Sequence, residues 1–216
     1  MKSKKDTKVL MCMSGGVDSS VAAHLLLEEG YQVVGAFMKQ WTDGGDVAGV
    51  CTWKEDRRDA VRVASFLGIP LLTLDFEKEY KEMVMGYMFK EYSLGRTPNP
   101  DVMCNKWIKF GFWLEKAKEL GFDKIATGHY ANISLTQANM YELTAAKDTE
   151  KDQTYFLHQL DQKQLSQTIF PLGNFTKDEV REVARKIHIP TAEKDESMGI
   201  CFVGEVPMQD FLKQKI

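Results

Sequence analysis

The sequence predicts an α/β fold, a parallel sheet with helices on both faces followed by a small second domain, and three observations carry the prediction. Short apolar runs of strand length alternate with longer segments of helical spacing through the first 165 residues. A Ser-Gly-Gly loop stands between the first run and the first helical segment, where a strand would turn into a helix. Beyond that region the alternation gives way to one capped helix. Strands that alternate with helices form a parallel sheet because each connection must cross back over a face, and the crossing helix covers it.

Each element can be justified in order. Residues 8–13 are an apolar run of strand length, and the loop 14–20 leads into a helical pattern that stops at Gly30. A second buried strand is expected at 32–38. Ala60, Val61, Val63 and Ala64 give 56–66 a helical spacing before Gly68 and Pro70 break it, and 71–75 reads as a third strand. Helices are expected at 77–92 and 106–120, separated by an exposed loop at 95–101 in which Pro98 and Pro100 resist helix. A fourth strand at 124–130 runs into a Gly-His turn. Ligands of such sheets bind at the carboxyl ends of the strands, where Ser14, Met38 and Gly128 fall. The first domain is placed at 1–165. The second, 166–216, carries a capping box from Thr176 to Glu179 before Val180, Val183, Ala184 and Ile187, and Pro190 ends its helix.

Composition narrows the function classes. A chain of 216 residues with 44% hydrophobic and 27% charged residues is that of an ordinary globular enzyme. No run approaches the roughly 20 apolar residues of a membrane span. The basic start, residues 1–8, passes straight into a strand without a leader pattern, so a cytoplasmic protein without membrane contact is expected, and the chain is taken as a monomer. The cysteines at 12, 51, 104 and 201 lack the spacing of a zinc site or disulfide scaffold, and no metal ligand set is assigned to them on spacing. A net charge of -3 argues against binding nucleic acid through a whole-surface positive field, so any RNA contact must use a local patch.

The loop Ser14-Gly15-Gly16-Val17-Asp18-Ser19 has two glycines where backbone amides can approach an anion, hydroxyls at both ends and a helix N-terminus behind it. That pattern suits pyrophosphate. A tight serine-capped turn without a ligand is the plainer reading, and Asp18 would oppose a phosphate unless it held Mg2+. The run SGGxDS at 14–19 resembles the signature of the PP-loop ATP pyrophosphatase superfamily, with its adenine nucleotide α-hydrolase-like fold. The resemblance implies ATP cleaved between its α and β phosphates, adenylation of a carbonyl oxygen, and nucleotide contacts from Cys12, Met13, Ser14, Gly15, Gly16, Val17, Asp18 and Ser19, with Met38 and Gly128. Taken alone, Met38 reads as a core methionine and Gly128 as a strand-end turn.

Further motifs sharpen the resemblance: Gly35 to Lys39, Gly95 to Asn105, Thr127 to Tyr130, Lys151 to Leu157 and Gly199 to Phe202. In this order they are similar to the tRNA-specific 2-thiouridylases. That family implies that Cys201 accepts a persulfide, that Cys104 is the nucleophile, and that the two form a disulfide as sulfur leaves. Asp101 is the implied base, and Asn99, Pro100, Asp101, His129, Lys151, Asp152 and Gln153 the tRNA contacts. The substrates implied are tRNAs of the Lys, Glu and Gln anticodon types, with sulfur delivered by a donor protein or cysteine desulfurase relay.

Read by themselves, these residues leave alternatives open. Cys104, between a Pro-rich loop and a predicted helix, would gain thiolate character from the helix dipole, yet a buried apolar thiol is the commoner fate. Cys201 lies in an apolar run that taken alone is core. Some tRNA-thiolating relatives hold an iron–sulfur cluster on three cysteines, so Cys51, Cys104 and Cys201 are a candidate 4Fe–4S set if they converge. Family members usually continue into a C-terminal β-barrel that helps grip tRNA, whereas this sequence stops at Ile216, so weaker tRNA binding is expected. The rival readings are another PP-loop adenylating enzyme and an inactive ATP- or tRNA-binding module.

Overall fold

The computed structural model describes residues 2–39 and 53–195. A five-stranded parallel sheet forms its centre, in the order β3-β2-β1-β4-β7. Its strands are β1 (Lys8–Cys12), β2 (Gln32–Lys39), β3 (Leu71–Asp75), β4 (Lys124–Ala126) and, after a separate antiparallel hairpin of β5 (Asn132–Leu135) and β6 (Tyr141–Thr144), β7 (Thr168–Ile169). The chain moves from β1 outward through β2 to β3, then returns to place β4 on the other side of β1. The strand order therefore reverses between β1 and β4, which puts a crevice at their carboxyl ends.

Side-chain alternation sorts the core onto two faces. Val9 and Met11 of β1 join Val33, Phe37 and Ala126 on one face, packed by α1 (Val17–Glu28) and α2 (Trp53–Leu67). Leu10, Ala36, Met38 and Ile125 point to the other. That face is covered by two long helical stretches. The first comprises α3 (Glu77–Glu79), a π-helical segment (Tyr80–Met85) and α4 (Gly86–Ser93). The second comprises α5 (Pro100–Met103), a π-helical segment (Cys104–Phe112) and α6 (Trp113–Glu119). Tyr80, Phe110 and Trp113 are buried there, each contributing on the order of 1.5–3 kcal/mol of apolar burial.

Most expected elements appear within a few residues of their predicted bounds. Two differences matter for the site. The helix expected from residue 106 begins at Pro100, because Asn99 caps it, accepting from the Val102 N–H at 3.1 Å, and a proline in the first turn needs no donor. Pro98 and Pro100 are buried, so only the front of the loop expected at 95–101 is exposed. The strand expected at 124–130 stops at Ala126, since Gly128 turns against the first turn of α1.

The described part of the second unit expected at 166–216 packs onto the first. β7 extends the main sheet beside β4, α7 (Gln162–Ser166) leads into it, and α8 (Lys177–Lys186) buries Val180 and Ala184 in the core that holds β1 and α1. The capping box of α8 is complete: the Thr176 N–H donates to Glu179 Oε2 at 2.7 Å, and Thr176 Oγ1 accepts from the Glu179 N–H at 3.3 Å. The hairpin β5–β6 was not among the expected elements.

Candidate active site

The glycine loop leaves β1 at the crevice, and its shape follows from close packing. Gly15 has φ +80°, and a Cβ there would press into the backbone carbonyl of Asp56 at the start of α2. Gly16 caps α1 without a side chain, so the first amides of a twelve-residue helix face outward without intrahelical partners. The two serines organise the turn: Ser14 Oγ lies 3.1 Å from Ser19 Oγ, and Ser19 Oγ donates to the Gly16 carbonyl at 3.1 Å. Outward amides, a helix N-terminus and hydroxyls together make a surface suited to a phosphate anion.

Gly128, at the end of β4, closes the other side of this turn. A Cβ there would lie 2.9 Å from the Ser19 nitrogen and 3.0 Å from the Asp18 carbonyl carbon, so only glycine lets β4 approach α1 this closely. Of the other nucleotide contacts expected from the sequence, Met13 and Val17 are buried, Cys12 is half-buried at the end of β1, and Met38 packs in the core beneath the carboxyl end of β2.

Asp18 is held by three side-chain bonds. Lys177 Nζ donates to both its carboxylate oxygens, at 2.7 and 2.8 Å, and the Tyr130 hydroxyl donates to Oδ1 at 2.9 Å. The Lys177 ammonium offsets the negative charge that makes an aspartate awkward in a phosphate loop. The same pairing bears on the Mg2+ expected at Asp18. Both carboxylate oxygens are already engaged, and no group of three metal-ligating side chains comes together among the described residues, so these side chains do not fit a protein-built cation site.

The contacts form a ring through the segment expected to meet tRNA. The Tyr130 N–H donates to Gln153 Oε1 at 3.0 Å, and the Gln153 N–H donates back to the Tyr130 carbonyl at 2.9 Å. Asp152 Oδ1 accepts from the Ala146 N–H at 2.8 Å. Asp148 accepts from the Lys151 N–H at 3.2 Å and from the Lys177 N–H at 2.8 Å. These backbone donors, Lys177 first, hold the Asp148 carboxyl below its usual range. Asp152 thus shapes its own turn, while Gln153 ties that turn to Asp18 through Tyr130 and Asp148 does so through Lys177.

The cysteine helix reaches the same network. The Asn105 side-chain amide donates to the Phe156 carbonyl at 3.2 Å, joining the helix that carries Asp101 and Cys104 to the residues just after Gln153. Cys104 is not ahead of its helix, as the sequence suggested, but in the second turn and 2% exposed, where the dipole of the first turn has weakened. It opens a nine-residue π-helical segment, a rare geometry that recurs at functional sites. Asn99 spends its side chain on the cap, and Pro100 is buried. Cys51 and Cys201 lie outside the described residues, and with them the cluster expected on Cys51, Cys104 and Cys201.

His129 is packed with Phe110 and Phe170, ring centroids 6.0 Å from each, and its Nδ1 lies 2.7 Å from Thr127 Oγ1. Burial, with a smaller contribution from the positive charge of Lys109, holds its pKa well below the usual histidine value. It is a neutral imidazole at neutral pH.

Three residues of the site escaped the sequence reading. Lys177 was visible only as part of a capping box, and Tyr130 as the end of a strand and of the Thr127 to Tyr130 motif, with no role assigned to its hydroxyl. Lys194 donates to Asp56 Oδ1 at 2.9 Å, Asp59 Oδ2 at 2.8 Å and the Gly15 carbonyl at 3.2 Å. Burial opposes its charge, but the bonds to Asp56 and Asp59 outweigh that and hold its pKa above the usual lysine value. No local pattern marks such contacts, which join residues more than a hundred positions apart.

Comparison with known proteins adds an independent line. The family model described as the tRNA methyl transferase HUP domain matches residues 7–205. The chain is 51% identical over 213 residues to a Flavobacterium johnsoniae protein named tRNA-specific 2-thiouridylase MnmA, covering 97% of this chain and 54% of that one. It is 54% identical over 209 residues to a Listeria monocytogenes protein of the same name, covering 97% of this chain and 56% of that one. The chain thus spans about half the length of the curated relatives it matches. Among solved structures it is similar, with a TM-score of 0.56 and 20% identity over 97% of this chain and 50% of the other, to a 4-thiouridine synthetase in complex with RNA and bound ATP. That likeness carries the fold.

Proposed function

The chain belongs to the tRNA methyl transferase HUP domain family, and from that premise we propose that it carries the catalytic half of a tRNA 2-thiouridylase. ATP adenylates the O2 of the wobble uridine, releasing pyrophosphate, and a cysteine persulfide then replaces the adenylated oxygen with sulfur, releasing AMP. The observation that supports this reading most directly is identity above half, over nearly the whole chain, with proteins named for that activity. The glycine loop at the switch point supplies the matching chemistry.

In this reading the Gly15–Gly16 turn and the first amides of α1 hold the phosphates, while Lys177 screens Asp18. ATP supplies the electrophilic phosphorus, and the Lys177 ammonium supplies positive charge beside the loop through its bonds to Asp18. Uridine O2 attacks the α-phosphorus, which makes C2 electrophilic. The terminal sulfur of a Cys201 persulfide attacks C2 and AMP leaves. The Cys104 thiolate then attacks the Cys201 sulfur, forming a Cys104–Cys201 disulfide and leaving the second sulfur on the base as 2-thiouridine. Asp101, one helical turn before Cys104, is the base that takes the thiol proton. The uridine reaches the site flipped out of its stack.

The tRNA partners in this reading are those with Lys, Glu and Gln anticodons, contacted near Asn99, His129 and the 151–153 turn. Sulfur comes from a donor protein or desulfurase relay, and the working compartment is the cytoplasm. The test is ATP-dependent formation of AMP and 2-thiouridine on such a tRNA, with cysteine and a desulfurase as sulfur source. Cys104→Ser and Cys201→Ser should each eliminate 2-thiouridine while pyrophosphate release persists, and Cys201→Ser should also lose AMP release, because its persulfide is what expels AMP. Retained thiolation in Cys51→Ser would favour the persulfide route over a cluster. Absence of tRNA-dependent AMP formation by the wild-type chain would overturn the reading, and AMP formation indifferent to both cysteines would point to another adenylating enzyme of this fold.

A further inference from the structure

After α8 the chain crosses the N-terminal end of α1, and three sets of contacts hold it there. Thr191, 3% exposed, places Oγ1 3.3 Å from Ser20 Oγ in the first turn of α1. Arg181 of α8 reaches the Ala192 and Lys194 carbonyls at 3.4 and 3.5 Å, holding the segment from its other side. The third set belongs to Lys194, whose ammonium meets Asp56 and Asp59 of α2 and the Gly15 carbonyl oxygen of the glycine loop.

The contact with Gly15 determines which way a peptide faces. In a trans peptide the carbonyl and the following N–H point in opposite directions, and the described residues contain no cis bond. A Gly15 oxygen held by Lys194 therefore turns the Gly16 N–H to the opposite side. There it donates to Ser14 Oγ at 3.3 Å, on the side of the Ser14 and Ser19 hydroxyls. A bond this long engages the donor weakly, which leaves the N–H ready for a better acceptor. Gly15 at φ +80° has no Cβ to restrict the peptide, so its orientation must come from a partner, and Lys194 is that partner.

We propose that Lys194 is a positioning residue for the anion-binding turn: it clamps the Gly15–Gly16 peptide so that the Gly16 N–H faces a bound phosphate. Its charge is consumed by Asp56 and Asp59, with Arg62 a further cation 3.6 Å from Asp59. It therefore acts through the backbone and not as a phosphate ligand. The clamp also fixes the start of α2 against the loop, since Asp56 supplies both the carboxylate and the carbonyl that Gly15 abuts. This inference rests on the proposed ATP-binding role of the loop.

The experiment measures direct binding of ATP, inorganic pyrophosphate and adenosine to the full chain by calorimetry, for the wild type, Lys194→Met, Lys194→Gln and Lys194→Arg. Lys194→Met should weaken ATP and pyrophosphate at least tenfold and adenosine less than threefold, with Lys194→Arg recovering to within threefold of wild type. A general loss of structure would weaken all three ligands together. In the adenylation assay KM for ATP should rise while kcat at saturating ATP changes less than threefold. Wild-type affinity for pyrophosphate in Lys194→Met overturns the proposal. Should Lys194→Met fail to fold, the Gln and Arg variants decide: Gln weakened tenfold with Arg near wild type supports the clamp, and both at wild-type affinity overturn it. A wild-type chain that binds neither ATP nor pyrophosphate removes the proposed function itself, and the clamp with it.

Discussion

Replacing Gly15 by alanine tests whether the glycine loop is built by packing against α2. The residue sits at φ +80°, a left-handed conformation that costs a residue with a Cβ about 1–2 kcal/mol. The new methyl would lie 3.0 Å from the Asp56 carbonyl carbon and 3.1 Å from its Cα, with the carbonyl oxygen nearer still. Carbon atoms rest about 3.5–4.0 Å apart, so the overlap is at least about half an ångström against backbone that no rotamer change can move. Forcing such a fit into a packed contact costs about 1–3 kcal/mol more. Gly15→Ala should therefore lose roughly 2–5 kcal/mol of stability, the sum of strain and overpacking.

Gly68 supplies the control. It too is left-handed, at φ +68°, but a Cβ there meets nothing within 4 Å, so Gly68→Ala isolates the strain, about 1–2 kcal/mol. Urea unfolding of the wild type and both variants reads the difference as a shift in midpoint at constant slope. If Gly15→Ala is no more destabilising than Gly68→Ala, the contact between Asp56 and the loop is not what shapes the turn, and the argument from packing fails.

Other outcomes follow from the same network. Lys177→Met removes both bonds to Asp18; because Asp18 is about a third exposed, the expected loss is only about 1–2 kcal/mol in unfolding experiments, but ATP-dependent AMP formation should fall at least tenfold, and unchanged AMP formation would show that Asp18 needs no screening. His129 is held neutral in the fold, so its contribution is fully present above the unfolded value of about 6.5 and is lost as pH falls toward the lower folded pKa, by up to about 1.4 kcal/mol per pH unit. Stability measured from pH 8 to pH 5 should fall less steeply in His129→Phe, and parallel curves would refute the burial argument. Thr176→Ala breaks the capping box of α8 and should cost about 1 kcal/mol in thermal or urea unfolding, with a loss below a few tenths counting against the cap.

What could be read from the sequence was local. Strand β1, the turn at 14–19 and helix α1 were legible because three kinds of signal coincide between Lys8 and Gly30: an apolar run, glycines and hydroxyls at the turn, and a helical pattern closed by Gly30. The capping box of α8 was legible for the same reason, since its two bonds span three positions. Cys104 shows where local reading misleads. Two prolines looked like a loop, yet the second sits in the first turn of a helix that Asn99 caps, so the thiol lies inside that helix and its neighbours carry it into the core.

The electrostatics of the site were illegible because they are made by distance in sequence and proximity in space. Lys177 and Asp18 are 159 positions apart, and Lys194 and Gly15 are 179 apart. Both lysines come from the segment around α8, which the change of pattern suggested was a separate unit. In the described part of that segment, β7 is a strand of the main sheet and α8 packs with α1. With β7 hydrogen-bonded to β4, the following helix α8 packs on α1, and its Lys177 reaches Asp18 in the first turn of α1. An aspartate in a phosphate loop is costly until that packing brings a cation to it. In the proposed function the pattern at 14–19 binds phosphate only once residues 177 and 194 arrive, and a fragment ending before α8 should bind pyrophosphate more weakly in calorimetry than the full chain, equal binding counting against this reading.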